Sequence, residues 1–163
     1  MPEELPGDDD FNQPPSFFPK EPEEDQPTIS LGDPVEVRID GVYSQEHNGQ
    51  VTRFVLLTDG IRELRISISA ELAMAISMPL ENARPDRPVT HDLMKTVIER
   101  LEGDLDRIVI DDLWNAIYYA KIYLLSGNEE IAIDSRPSDA IALAVRFDVP
   151  IYVLEGILNS ADD

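Results

Sequence analysis

Two short charged segments, residues 87–92 and 134–139, contain the side chains of this chain that are best suited to chemistry. An imidazole changes its charge near neutral pH, so a histidine there can act as a general acid or base. Carboxylates can ligate a divalent cation, and guanidinium groups can hold an anion. The two segments together supply seven polar candidates, which are Arg87, His91, Asp92, Asp134, Arg136, Ser138 and Asp139.

Each segment comes directly before a predicted helix. Pro137 is suited to the first turn of a helix, and the apolar run of residues 140–145 indicates a helix without a solvated face. Thr90 is predicted to be the N-cap of the other helix, whose apolar residues recur at helical spacing. Those residues are Leu93, Met94, Val97, Ile98 and Leu101.

His91 is the candidate general acid or base, and Asp92 and Asp139 are the further catalytic candidates. Neighbouring residues of a helix point in different directions, so Asp92 is poorly placed to orient His91. The structural alternative is that Thr90 caps the helix, Asp92 interacts with its dipole and His91 is a packed residue of the first turn.

Arg87, Arg136 and Ser138 are the candidates for substrate binding. Both arginines precede helix starts, where a guanidinium and free backbone N–H groups could together hold a phosphate. The alternative is internal ion pairing of Arg136 with Asp139 or Asp134. In the same way, Arg87 could pair with Asp92.

Three acids, Glu71, Asp92 and Asp139, each fall in the first turn of a predicted helix. The helix dipole stabilises an acid there by roughly 0.3–1 kcal/mol, so capping alone would explain all three. The functional alternative is that two or more of them, with Asp134, converge on a divalent cation such as Mg²⁺ or Mn²⁺. No spacing in the sequence matches an established metal motif.

Apolar periodicity predicts seven strands and three helices. An alternating or apolar pattern indicates strands at residues 35–40, 51–58, 61–68, 107–113, 116–125, 130–134 and 151–153. Helices are expected at residues 71–78, with Ser69 as the cap, after Thr90 and from about Arg136. The fold class is therefore α+β, with mainly antiparallel strands and helices packed on them. Three strands followed by a helix occur twice, which suggests an internal duplication.

The composition divides the chain into three parts. Residues 1–33 contain most of the prolines and few aliphatic side chains, which predicts a disordered acidic tail. Residues 34–158 are expected to form one domain, and residues 159–163 a loose acidic end. No segment has the pattern of a secretory signal or the ~18 apolar residues of a membrane span, so we expect a cytoplasmic protein. Because the chain has no cysteine, disulfides and thiolate chemistry are excluded.

The net charge of −20 opposes tight binding of nucleic acid. Residues 1–33 carry ten acids and one lysine, and residues 34–163 carry twenty-three acids and twelve bases. Affinity for polynucleotides comes largely from cationic side chains, so the arginines would have to cluster or a divalent cation would have to bridge. An alternative explanation of the acidity is adaptation to high salt, where screening weakens charge repulsion. Loss of helicity at low salt would support that hypothesis.

The motifs resemble those of the bifunctional nuclease family over roughly residues 34–158. The resemblance rests on Arg87-Pro88, Thr90-His91-Asp92-Leu93, Tyr119-Ala120, Asp134 with the run from Arg136 to Ala140, and Pro150-Ile151-Tyr152-Val153. The chain departs from the family at Ile68-Ser69-Ala70-Glu71, where an Ile-Gly pair tends to precede Glu-Ala. This weakens the transfer of a role to Glu71.

The resemblance implies hydrolysis of phosphodiester bonds in DNA and RNA, with the two charged segments as the expected site. The competing hypothesis is a non-catalytic module that assembles with itself or a partner, or binds a small anion. Acids of both segments meeting in one pocket would favour the enzyme. Homo-oligomers are expected if an apolar face of the sheet stays uncovered.

Overall fold

The computed structural model describes residues 31–161 and has seven strands and four helices in this range. The strands are β1 Pro34–His47, β2 Gln50–Thr58, β3 Glu63–Ile68, β4 Gly103–Trp114, β5 Ile117–Ser126, β6 Glu129–Ser135 and β7 Ile151–Leu154. The helices are α1 Ala70–Leu80, α2 Thr90–Arg100, α3 Pro137–Phe147 and α4 Glu155–Ala161. Residues 1–30 of the predicted tail and residues 162–163 lie outside the described range.

All seven strands form one sheet in the order β3-β2-β1-β7-β4-β5-β6. Every neighbouring pair is antiparallel except β4 and β7, which are parallel. The predicted α+β class is confirmed. The repeated order of three strands and a helix is present as well, because β1–β3 with α1 and β4–β6 with α3 lie on opposite sides of β7.

Two turns set the register of the first three strands. Asn48 and Gly49 have φ angles of 51° and 76°, the positive values that a two-residue hairpin between β1 and β2 requires. In the turn before β3, the Asp59 carboxylate accepts the backbone N–H groups of Arg62 and Ile61 and the guanidinium of Arg62. These hydrogen bonds lower the pKa of Asp59 to about 2.

Helix α3 has the largest number of buried residues among the helices of residues 31–161. Its residues from Ala140 to Ala144 are all buried, as the apolar run predicted. It packs against α1 and α2 and against β4 and β5. Its first turn is therefore fixed by the core rather than by a loop, and the N-terminus of α2 is held beside it.

Two of the three predicted helix starts are confirmed. Ser69 caps α1 by accepting the N–H of Leu72 at 3.3 Å, and Pro137 is the first residue of α3. The prediction of Thr90 as an N-cap is wrong, because Thr90 is the first residue of α2 and Val89 is the N-cap.

Helix α4 has no counterpart among the predicted elements. It includes residues 159–161, which the sequence assigned to a loose end. Ile157 and Leu158 are buried in the core, which explains why this short segment is ordered as a helix. None of the helices in residues 31–161 is long and apolar enough to cross a membrane.

Candidate active site

The N-termini of α2 and α3 meet, and they bring the two charged segments together. His91 lies in the first turn of α2 and Asp139 in the first turn of α3. The Nε2 atom of His91 is 3.0 Å from the Oδ1 atom of Asp139. His91 is only 7% exposed, so the pair lies at the rim of the core and is shielded from most of the solvent.

Arg136 extends this pair toward solvent. Its Nε donates to the Oδ2 atom of Asp139 at 2.7 Å, while its side chain stays 73% exposed. Both oxygens of Asp139 therefore have partners, His91 on one and Arg136 on the other. The ion pair of Arg136 with Asp139, one of the alternatives for this arginine, is present, and the exposed guanidinium remains accessible to an anion.

The contact with Asp139 fixes which nitrogen of His91 can exchange a proton. A neutral imidazole that donates Nε2–H to a carboxylate has Nδ1 as its acceptor atom. No hydrogen bond between described residues uses Nδ1. Asp139 can also stabilise the imidazolium that forms when Nδ1 takes a proton, as the carboxylate of a catalytic triad does.

An apolar groove of about 260 Å³ adjoins the pair on the side of His91. One wall is a single face of α1, formed by residues spaced three and four apart, and the other wall is the start of α2. The lining residues are Glu71, Leu72, Met74, Ala75, Met78, Val89, Thr90 and His91. A ligand in this groove would contact the imidazole ring.

Asp92, predicted as catalytic, has a different set of contacts. Its carboxylate accepts the Nε–H of Arg146 at 2.7 Å and the backbone N–H of Val89 at 3.0 Å. Partial burial opposes ionisation of Asp92, but these two hydrogen bonds outweigh it and hold its pKa below the usual value. Asp92 therefore pairs with Arg146, and not with Arg87 as the ion-pairing alternative proposed.

Arg146 joins three helices, and it was not among the candidates predicted from the sequence. Its Nη1 donates to the carbonyl oxygens of Ala75 in α1 and Ala142 in α3, at 2.6 and 2.8 Å, while its Nε binds Asp92 in α2. The side chain is 5% exposed. The signal in the sequence was one charged residue directly after an apolar helical run, which predicts a buried cation with dedicated partners.

The other candidates lie apart from the pair or are covered. Arg87 is exposed on the segment between α1 and α2, Ser138 is buried in the first turn of α3, and Asp134 is exposed on β6 opposite Lys121. Glu71 lines the groove but has no bond to His91.

The four acids predicted as metal ligands do not gather into one site. Within residues 31–161 no three His, Asp or Glu side chains are grouped so that they could hold a metal ion. Asp92 and Asp139 already bind arginines, and Asp134 lies on the far strand β6. The donor set of Glu71, Asp92, Asp134 and Asp139 does not fit a protein-held divalent cation.

Comparison with known proteins gives both a family and its relatives. The sequence model of the family described as the bifunctional nuclease domain matches residues 55–163. An uncharacterised protein of Mycobacterium tuberculosis is 35% identical over 126 residues, which are 77% of this chain and 75% of that protein. Bifunctional nuclease 1 of Oryza sativa subsp. japonica is 39% identical over 77 residues, 45% of this chain and 23% of its own. Bifunctional nuclease 2 of Arabidopsis thaliana is 28% identical over 101 residues, 60% of this chain and 31% of its own.

Proposed function

Since the chain belongs to the bifunctional nuclease domain family, we propose that it hydrolyses phosphodiester bonds in RNA and DNA at the His91–Asp139 pair. The observation that carries the proposal is the bond of 3.0 Å between these side chains, at the point where the two motif segments meet. An imidazole oriented by a carboxylate is a general base, and proton transfer by such a group typically contributes about 100- to 10,000-fold to a rate.

Cleavage of both RNA and DNA limits which group can attack the phosphorus atom. DNA lacks a 2′-hydroxyl group, so one mechanism for both substrates cannot use the sugar as the nucleophile, and we assign that role to water. His91 Nδ1 takes a proton from the water, whose oxygen forms the new bond to phosphorus while the bond to the leaving oxygen breaks. The leaving oxygen takes a proton from solvent, and Asp139 stabilises the imidazolium.

Arg136 is proposed to hold the phosphate. Its guanidinium is fixed at Nε by Asp139 and exposed elsewhere, so it can place an anion beside the pair. We expect Arg136→Gln to weaken binding of single-stranded RNA about tenfold. The slope of log binding constant against log salt concentration should fall by about one, because one fewer phosphate is neutralised. Fluorescence anisotropy over a salt series measures both quantities. Arg100→Gln, an exposed arginine at the other end of α2, is the matched control and should leave both unchanged.

The sequence suggested assistance by a divalent metal, and we keep that requirement as part of what is tested. Because the four candidate acids do not fit a metal, the mechanism uses no step through one. Nuclease activity that survives EDTA agrees with the pair acting alone. Activity that needs Mg²⁺ or Mn²⁺ would mean that the ion is bound with help from the substrate's own phosphate oxygens.

Cleavage of labelled single-stranded RNA and DNA by highly purified protein tests the proposal. The reactions contain Mg²⁺, Mn²⁺ or EDTA, each at low and high salt, because the acidic surface repels phosphate most strongly at low salt. We expect products from both nucleic acids. An absence of cleavage in all six conditions would contradict the nuclease and favour the non-catalytic module.

Helix α2 carries an exposed apolar stripe at helical spacing, formed by Leu93, Met94, Val97 and Leu101. Monomeric proteins rarely leave such contiguous apolar surface uncovered. We therefore propose that this stripe joins two copies of the chain.

The oligomer is tested with two charge substitutions on α2. Light scattering coupled to size exclusion should give a mass above the 18.3 kDa of one chain. Val97→Glu places a charge within the stripe and should shift the protein to monomer. Thr96→Glu, which adds the same charge next to the stripe, should not. A wild-type protein that stays monomeric at high concentration would rule the proposal out.

A further inference from the structure

We propose that the groove beside the His91–Asp139 pair binds one unpaired nucleobase, and that Glu71 makes guanine the preferred base. The inference rests on the proposed nuclease function and extends it by naming the substrate class. Its basis is the lining of the groove, which is apolar along α1 and ends at the catalytic imidazole.

The wall formed by α1 suits the face of an aromatic ring. Met74 and Met78 are one helical turn apart on the same side of α1, and Met74 is 62% exposed although it is apolar. Thioether side chains are flexible and make favourable contacts with aromatic rings. The volume of about 260 Å³ is slightly below the roughly 300–1,000 Å³ of sites for drug-sized ligands, and so suits a single planar ring system.

A base can enter the groove only when it is neither paired nor stacked. Extruding a base from a duplex costs a few kcal/mol, whereas a single strand offers its bases freely. A base in the groove would contact His91, and a phosphate of the same strand would lie within reach of Arg136, which binds the second oxygen of Asp139. The groove therefore predicts cleavage of single strands in preference to duplexes.

Glu71 supplies the selectivity among bases. The Glu71 backbone N–H and the Ser69 side chain hold the pKa of the Glu71 carboxyl below its usual value, so this group is ionised at neutral pH and only accepts hydrogen bonds. Guanine presents two neighbouring donors, N1–H and the N2 amino group, to the two oxygens of a carboxylate. Adenine and cytosine present one amino donor beside an acceptor, and uracil presents one N–H between two carbonyls. A carboxylate in this position thus favours guanine and disfavours uracil.

Binding of nucleoside monophosphates tests the inference without any cleavage step. The methyl signals of Met74, Met78 and Met94 are followed by NMR while 5′-GMP or 5′-UMP is added to the full-length protein. We expect 5′-GMP to shift Met74 and Met78 but not Met94 on α2, and to bind about tenfold or more tightly than 5′-UMP, the discrimination of one good bidentate contact. Glu71→Gln should remove this difference, and Glu81→Gln at the other end of α1 should retain it.

The outcomes separate this inference from the proposed function. Equal binding of the two nucleotides, or shifts confined to Met94, would overturn the base site. A protein that cleaves RNA at every base alike, with no effect of Glu71→Gln, would retain the nuclease and overturn guanine selection. A protein that binds 5′-GMP in the groove but cleaves nothing would support the base site and contradict the nuclease.

Discussion

Asp139→Asn is expected to lower the rate of RNA and DNA cleavage by about 100- to 10,000-fold while the protein stays folded. The carboxylate both orients the His91 ring through Nε2 and stabilises its protonated form. Asparagine keeps the size of the side chain but removes the negative charge. The variant loses both the ion pair with Arg136 and an acid in the first turn of α3, which together cost about 1 kcal/mol in the free energy of unfolding. Rates are therefore compared at a temperature where circular dichroism shows both proteins to be native.

Asp134→Asn is the matched control for this loss. Asp134 belongs to the same charged segment but is exposed on β6 and has no bond to His91. Its substitution should leave cleavage close to that of the wild type. If both variants lose activity equally, the effect is one of general charge and the assignment of Asp139 is wrong.

Asp92→Asn is expected to cost about 3 kcal/mol in the free energy of unfolding, the lower end of the range for removing one partner of a buried ion pair. Arg146 keeps two carbonyl acceptors in the variant, and Asp92 is about one-third exposed, which is why the cost stays at that end. For a domain of this size the melting temperature should fall by about 10 °C. Cleavage at low temperature should fall far less than in Asp139→Asn, because the hydrogen bonds of the Asp92 carboxylate go to Arg146 and Val89 and not to His91 or Asp139.

Glu99→Gln is the control for Asp92, since it removes an exposed acid from the same helix. An exposed pair of this kind contributes about 0.2–1 kcal/mol, so denaturant melts should show at most a small change. An Asp92→Asn protein as stable as the wild type would refute the structural role of the Asp92–Arg146 bond.

The Asp92–Arg146 bond also determines whether stability rises or falls as the pH is lowered. The folded-state pKa of Asp92 is below its unfolded value of about 3.9, because the bonds to Arg146 and Val89 outweigh partial burial. The contribution of ionised Asp92 to the free energy of unfolding is therefore complete above the unfolded-state pKa. It is lost as the pH falls through the folded-state pKa. Denaturant melts from pH 7 downward should show this acid-linked loss in the wild type, and a smaller one in Asp92→Asn.

Local signals in the sequence were sufficient for most of the fold. Alternating apolar residues, the Ser69 cap and Pro137 all act within a few residues, and the strands and helices they predict are present. The N-cap of α2 was misplaced by one residue, because a threonine is a better cap than Val89 when only propensity is considered. Here the Asp92 carboxylate satisfies the Val89 N–H instead.

Contacts between distant residues were the part that the sequence could not determine. His91 and Asp139 are 48 residues apart, and Asp92 and Arg146 are 54 residues apart. Both bonds depend on how α2 crosses α3, which local propensity does not specify. The sequence identified both charged segments as candidates, but only the packing separates Asp139, which contacts His91, from Asp92, which contacts Arg146.

Chemical rescue of His91→Ala by imidazole is the measurement that tests the central claim most directly. The variant should cleave RNA and DNA far more slowly than the wild type. Added imidazole should restore part of the rate in a saturable way, because it can occupy the space of the lost ring beside Asp139. Asp139→Asn, which keeps its histidine, should gain nothing from imidazole, and His47→Ala at the end of β1 should need no rescue. Wild-type cleavage by His91→Ala would contradict the account, because the nuclease activity would then reside elsewhere in the chain.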